Sequence, residues 1–257
     1  MCGLCGIIYC GERIPNRIIE YQLKNSFIDM FKACAIRGSD ASGIVVLNED
    51  KIYTYKNYVR SNKLVEDEEV KKIFDTIQIG TRTKAILGHT RAQTKGPFIN
   101  NFNNHPIIAS DVIGIHNGVI SNDDVLFETN TQLKRNGQVD SEIIFRLIDE
   151  YLKMGKSLIE SVKFTVPRLI GSMACAFIYR KNPRYVVLFR DNSYTPLVMR
   201  IYKKENVITF ASTAQILGVI ENYGRFANNR SSEITLKNEI VRIDVLTGKI
   251  FKTNLIG

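Results

Sequence analysis

The chain has 257 residues, 44% of them hydrophobic, and a formal charge of +9 from 35 Lys+Arg against 26 Asp+Glu. That length suits one large domain with a sizeable core. No apolar run reaches the roughly 18 residues of a membrane-spanning helix, and the N-terminus lacks the charged-then-apolar pattern of a secretory leader. Five cysteines without dense spacing fit a reducing cytoplasm better than a disulfide framework. The Lys and Arg are scattered, so they read as a solvated basic surface; contact with nucleic acid stays possible but has no motif behind it.

The opening MCGLCGII predicts one apolar strand from Cys2 to Cys10, with Gly3 and Gly6 allowing close backbone approach. Cys2-Gly-Leu-Cys5 has three readings: half a zinc site, a redox dithiol, or one reactive thiol with a neighbour. A zinc site needs four ligands, usually from a second Cys or His pair, and Cys10, Cys34, Cys175, His89, His105 and His116 are dispersed. A redox pair normally sits between a strand and a helix. Cys5, Cys10, Cys34 and Cys175 are most simply small buried hydrophobes. With Met1 removed, Cys2 would carry a thiol of pKa about 8.5 beside an α-amine of roughly 7.7–8.0, which is a nucleophile with its own base. The plain alternative is a small second residue that merely permits methionine removal.

Asn16 to Ile36 places Ile18, Ile19, Leu23, Phe27, Met30 and Phe31 at helical spacing, with Gly38 as the expected C-cap. Ser42–Leu47 and Ile52–Tyr55 form a strand pair around the turn Asn48-Glu-Asp. Glu66–Ile77 is a charged amphipathic helix, Ala85–His89 begins a strand, and Val112–Ile120 is an apolar run that contains His116, Asn117 and Gly118. Helices follow at Ser141–Met154 and Ser157–Leu169. Strands then come at Ser172–Tyr179, Tyr185–Phe189, Leu197–Tyr202 and Val207–Ala211, and a short helix, Ala214–Ile220, precedes a final strand pair. Strands and helices in blocks predict an α+β arrangement of layers. No repeat or linker divides it, so residues 2–257 are expected to form a single domain.

Six motifs then stand in a telling order: MCGLCG, RGSDASG (37–43), GHTRAQTKG (88–96), NHP (104–106), HNGVISN (116–122) and VDSE (139–142). FRDNSYTPL (189–197) and FASTAQIL (210–217) follow. Over about residues 2–217 the chain resembles class II glutamine amidotransferases, the N-terminal-nucleophile glutaminase domains of glucosamine-6-phosphate synthase and amidophosphoribosyltransferase. The resemblance implies a four-layer αββα sandwich and L-glutamine as substrate, with no cofactor and no metal, in the cytoplasm.

In that family the residue at Cys2 attacks the γ-amide, its α-amine relays protons, and a thioester releases ammonia before water frees glutamate. The resemblance gives the oxyanion to the Asn117 side chain and the Gly118 N–H, the substrate carboxylate to Arg91 with help from Thr94, and the substrate ammonium to Asp140. Arg37 takes a structural or loop-closing part, and His89, His105 and His116 are scaffold, since the family uses no histidine base. Bland readings stand beside these: Asn117-Gly118 as a hairpin turn, Asp140 as the N-cap of the helix that follows, and Thr94 as a solvent-facing loop hydroxyl.

The chain departs from the pattern at Ala92, where relatives carry an aromatic, and at Gln93 and Lys95. Only about forty residues follow the last signature, and no GxxxxGK phosphate loop is present. The expectation is a glutaminase that feeds ammonia to a separate acceptor-binding synthase subunit. The alternatives are a stand-alone hydrolase of another γ-glutamyl-type amide and a catalytically silent binding module.

Overall fold

Most strands of this chain are apolar on both faces, and that decides the architecture. A strand shows successive side chains to opposite sides, so one apolar on both sides must be covered on both sides. A computed structural model describes residues 1–11, 17–49, 51–80, 82–226 and 231–255. In chain order the elements are β1 (Gly3–Tyr9), α1 (Arg17–Ala33), β2 (Ala41–Asn48), β3 (Ile52–Asn57), α2 (Ser61–Leu64) and α3 (Glu68–Asp75). Next come β4 (Thr83–Arg91), β5 (Ile107–Ala109), β6 (Val112–Ile120), α4 (Asp123–Thr129), α5 (Glu142–Lys153) and α6 (Leu158–Thr165). The remainder is β7 (Gly171–Tyr179), β8 (Tyr185–Arg190), β9 (Val198–Tyr202), β10 (Val207–Ala211), α7 (Ala214–Gly218), β11 (Ser232–Thr235), β12 (Glu239–Asp244) and β13 (Ile250–Asn254).

A seven-stranded sheet runs β11-β9-β10-β1-β4-β2-β3 and a six-stranded sheet β13-β12-β8-β7-β6-β5. Three buried apolar layers separate four layers of structure. Leu4 and Ile8 of β1, Leu87 of β4, Ile113 and Ile115 of β6 and Ala176 of β7 meet between the sheets. The alternate residues of the same strands, Cys5, Ile7 and Ile86, face Phe27, Met30 and Phe31 of α1 on one outer side. Cys175 and Phe177 face Phe145 and Ile148 of α5 on the other. The result is the αββα sandwich expected from the sequence. Each such Leu, Ile or Phe contributes about 1.5–3 kcal/mol through burial.

Several boundaries differ from expectation. The first helix ends at Ala33 and tightens into a 3-10 turn at Cys34–Ile36; Asn16 lies outside the described residues, as does Asp50 of the expected turn. Gly38 is not a left-handed C-cap. A Cβ there would press on the backbone of Arg91 and Ala92, so its glycine serves close approach. The helix expected over Glu66–Ile77 starts at Glu68, because the Asp67 carboxylate accepts from Glu69 N at 3.0 Å as an N-cap. The short β5 and α4 were not expected at all. Among the described residues no helix is long and apolar enough to cross a membrane.

Candidate active site

β1 lies mid-sheet, pairing Gly3 with Thr90 of β4 and Cys5 with Ala211 of β10. Cys2, just ahead of it, opens into a cleft of about 200 Å³ that Ala92, Thr94, Asn117, Gly118 and Tyr194 also line. Its Sγ lies 3.7 Å from the Ala92 carbonyl oxygen, and Arg37 Nε donates to the Cys2 carbonyl at 2.9 Å. Burial pushes the Cys2 thiol up; the Ala92 backbone, the amino terminus and Arg91 pull it down, while Asp140 adds to the rise. Cys5 faces the helix-side core, where it meets Cys34, so the two cysteines of the opening motif do not share a site. Cys5, Cys34, Cys10 and Cys175 are all buried and free. Among the described residues no group of His, Cys, Asp or Glu could hold a metal ion.

Asn117 and Gly118 lie inside β6, opposite Ala174 and Met173 of β7, and do not form a hairpin turn. Gly118 has φ +146°, and a Cβ there would collide with the Ser172 carbonyl, so only glycine suits the position. The Asn117 side chain is fully buried, yet neither its Oδ1 nor its Nδ2 has a partner. An amide left so costs about 1–3 kcal/mol and holds a donor in reserve at the cleft.

Arg91 is 2% exposed. Its Nη1 donates to Asn104 Oδ1 at 2.9 Å, and Nη2 donates to the carbonyls of Lys95 at 2.6 Å and Gly96 at 2.7 Å. The guanidinium thus braces the loop after β4 with three of its five N–H groups. Asp140 Oδ2 accepts from Ile120 N at 2.7 Å. That bond ties it to the strand of Asn117-Gly118, whereas Ser141 occupies the position before α5; the N-cap reading of Asp140 fails. Arg91 and Asp140 do not line the cleft but lie close enough for both to act on the Cys2 thiol. Thr94 is exposed at its rim.

Two loop supports escaped sequence reasoning. Asp40 Oδ2 accepts from Gln93 N at 2.8 Å. Lys95 Nζ reaches Asp123 at 2.6 Å and Asp124 at 2.8 Å, and Arg135 bonds the same two carboxylates at 3.0 and 2.7 Å. Asp40 and Lys95 stand inside RGSDASG and GHTRAQTKG, whereas Asp123, Asp124 and Arg135 lie outside the motifs.

The histidines cluster below the cleft. His89 Nε2 donates to the His116 carbonyl at 3.0 Å, and His116 bonds Ser141 Oγ through Nδ1 at 2.8 Å and the Ser172 carbonyl through Nε2 at 3.2 Å. The His105 ring lies tilted by 31° against His89, with ring centres 4.0 Å apart. Burial first, then neighbouring positive charge, holds His89 down at about 3 and His105 well below its ordinary value; His116 is lowered chiefly by burial. All three stay neutral near pH 7, and none lines the cleft.

A family model described as a glutamine amidotransferase domain matches residues 89–218. The glutamine–fructose-6-phosphate aminotransferase (isomerizing) of Buchnera aphidicola subsp. Baizongia pistaciae is 28% identical over 217 residues, covering 80% of this chain and 32% of that protein. Among solved structures, an allosteric regulatory enzyme of purine biosynthesis superposes with a TM-score of 0.73 at 18% identity, over 99% of this chain and 49% of that one. The glutamine phosphoribosylpyrophosphate amidotransferase of B. subtilis, complexed with ADP and GMP, gives 0.70 at 18% identity over the same shares. The chain therefore spans about a third of that curated relative and about half of those solved chains.

Proposed function

The chain belongs to the glutamine amidotransferase family, and on that premise we propose that Cys2, with its α-amine freed by removal of Met1, is the nucleophile that hydrolyses the γ-amide of L-glutamine. One observation carries the reading: the Cys2 thiol, the unpartnered Asn117 amide and Gly118 share a single cleft. Because burial raises the thiol, the sulfur needs a base to take its proton, and the α-amine of the same residue is in reach. Sulfur then adds to the amide carbon while the proton moves to the amine, and the negative oxygen of the tetrahedral species faces Asn117 Nδ2 and the Gly118 N–H. Such a donor is typically worth about 2.7–4 kcal/mol of barrier. The amine returns the proton to the leaving nitrogen, so ammonia departs and a thioester remains. Water adds to that thioester with the amine as base, releasing glutamate and restoring the thiol.

Arg91 takes the substrate α-carboxylate, Asp140 takes its ammonium, and Thr94 closes the rim; Arg37 fixes the nucleophile through the Cys2 carbonyl. His89 and His116 support the strands as neutral scaffold. The ammonia passes to an acceptor-binding synthase subunit, and residues 2–257 act as one domain in the cytoplasm. The test is glutamate release from glutamine by protein of recorded intact mass. Active protein should begin at Cys2, Cys2→Ala should lose activity while its melting temperature stays within a few degrees, and Cys5→Ala should keep most activity. Full activity with Met1 retained, or equal loss in both variants, overturns the assignment.

A further inference from the structure

A second cavity, of about 380 Å³, shares no residue with the Cys2 cleft and is lined by Lys56, Asn101, Phe102, Ile107, Asn136 and Glu142 among others. Lys56 comes from β3 and donates from Nζ to the carbonyls of Asn104 at 2.7 Å and Pro106 at 2.8 Å. An ammonium has three donors, so one position on Nζ remains for the cavity. Lys56 takes part in none of the ion pairs among the described residues, and the nearby Glu142 carboxylate acts on it only through space. Glu142, which faces the same space, is already committed to Arg146 at 2.8 and 3.0 Å and to the backbone N–H groups of Asn136 and Gly137. Burial lowers Lys56 to about 8, with Glu142 opposing the fall and Arg91 adding to it.

The other walls are suited to a ligand. The Asn136 side chain makes no hydrogen bond among the described residues, and Asn101 uses only Oδ1, which accepts from Asn104 Nδ2 at 2.9 Å, so amide donors remain free. The Phe102 ring is 62% exposed beside buried Ile107. An apolar cavity with a few convergent polar groups and a perturbed titratable residue has the composition of a small-molecule site. We propose that this cavity binds a small molecule carrying an oxyanion, phosphate or carboxylate, on a flat apolar body, with the oxyanion on Lys56 and the body against Phe102 and Ile107. The site stands independently of what Cys2 does.

Phenyl phosphate and benzoate are suitable probes of the full chain, each titrated by calorimetry, and whichever binds more tightly identifies the oxyanion. Phenol, which lacks the oxyanion, should bind about tenfold more weakly or worse. Lys56→Gln should weaken the preferred anion about tenfold and Phe102→Ala should weaken it as well, with a melting curve showing that each variant is folded, while Cys2→Ala should bind it unchanged. Binding of neither anion, equal affinity for phenol, or unchanged binding by folded Lys56→Gln overturns the proposal.

Discussion

Two polar clusters flank the loop at 92–100, and they differ in how much hydrogen-bonding capacity they have spent. Lys95, Asp123, Asp124 and Arg135 form a closed set of four ion pairs, each at 3.0 Å or less. Asn117, across the loop, is buried with neither end of its amide engaged. Saturated groups hold a structure together, whereas a buried group left unpaired in a folded protein calls for an explanation. The loop is thus fastened on one side and faces reserved capacity on the other.

The comparison breaks if function and stability do not separate along it. The largest effect is expected from Asn117→Ala, which should lower kcat by about 10²–10³ with little change in KM. Its melting temperature should hold or rise, since a buried unpaired amide is removed; calorimetry beside steady-state kinetics checks both, and a large stability loss would sink the contrast. Asp123→Ala should behave the opposite way. It strips one partner from Lys95 and Arg135 and should cost about 3 kcal/mol, the low end for a buried pair because both cations can reach solvent. Denaturant unfolding would show this, with kcat largely kept.

Arg91→Ala sharpens the comparison, because this residue belongs to both sides. Losing a charged donor costs about 1.5–3 kcal/mol, so KM for glutamine should rise about 10–150-fold while kcat changes less. A kcat loss equal to the KM rise would show that bracing the loop is its main task. The smallest effect per residue comes from the histidines. The unfolded chain takes up protons below pH about 6.5 that the buried rings refuse. Since their folded values are depressed, stability is full above that pH and erodes below it, down to about 3 for His89. At pH 5.5 each ring that stays neutral should account for about 1.4 kcal/mol. A melting temperature constant from pH 7.5 to 5.5 would mean the rings are protonated in the fold.

What could be read in the sequence followed from periodicity and local chemistry. The blocks of strands and helices predicted an α+β arrangement, and the four-layer sandwich came from the family resemblance of the motifs. Val-Ile after Asn117-Gly118 already argued against a turn, and the pair does lie inside β6. Apart from the short β5 and α4, the missed features are contacts between distant segments. Arg37 holds the Cys2 carbonyl from 35 positions away, and Asp40 holds Gln93 from 53 away. Gly38 looked like a helix stop because local rules price a glycine by its own φ, whereas here the backbone of Arg91 and Ala92 claims its space. Asp140 looked like a cap for the same reason, yet its carboxylate crosses to β6. Only the assembled fold decides which neighbour a short polar side chain meets.

The place of β1 in the middle of its sheet also sets a clock. One of its neighbours, β10, pairs Ala211 with Cys5, so the two edges of one ladder are about 200 residues apart in synthesis. At roughly 5–20 residues per second, a ribosome needs on the order of 10–40 s to deliver the second edge after the first has emerged. During that interval β1 lacks half of its ladder and the Cys2 thiol has no finished cleft. On the proposed mechanism the α-amine of Cys2 would be freed within this interval, before the cleft around the thiol is complete.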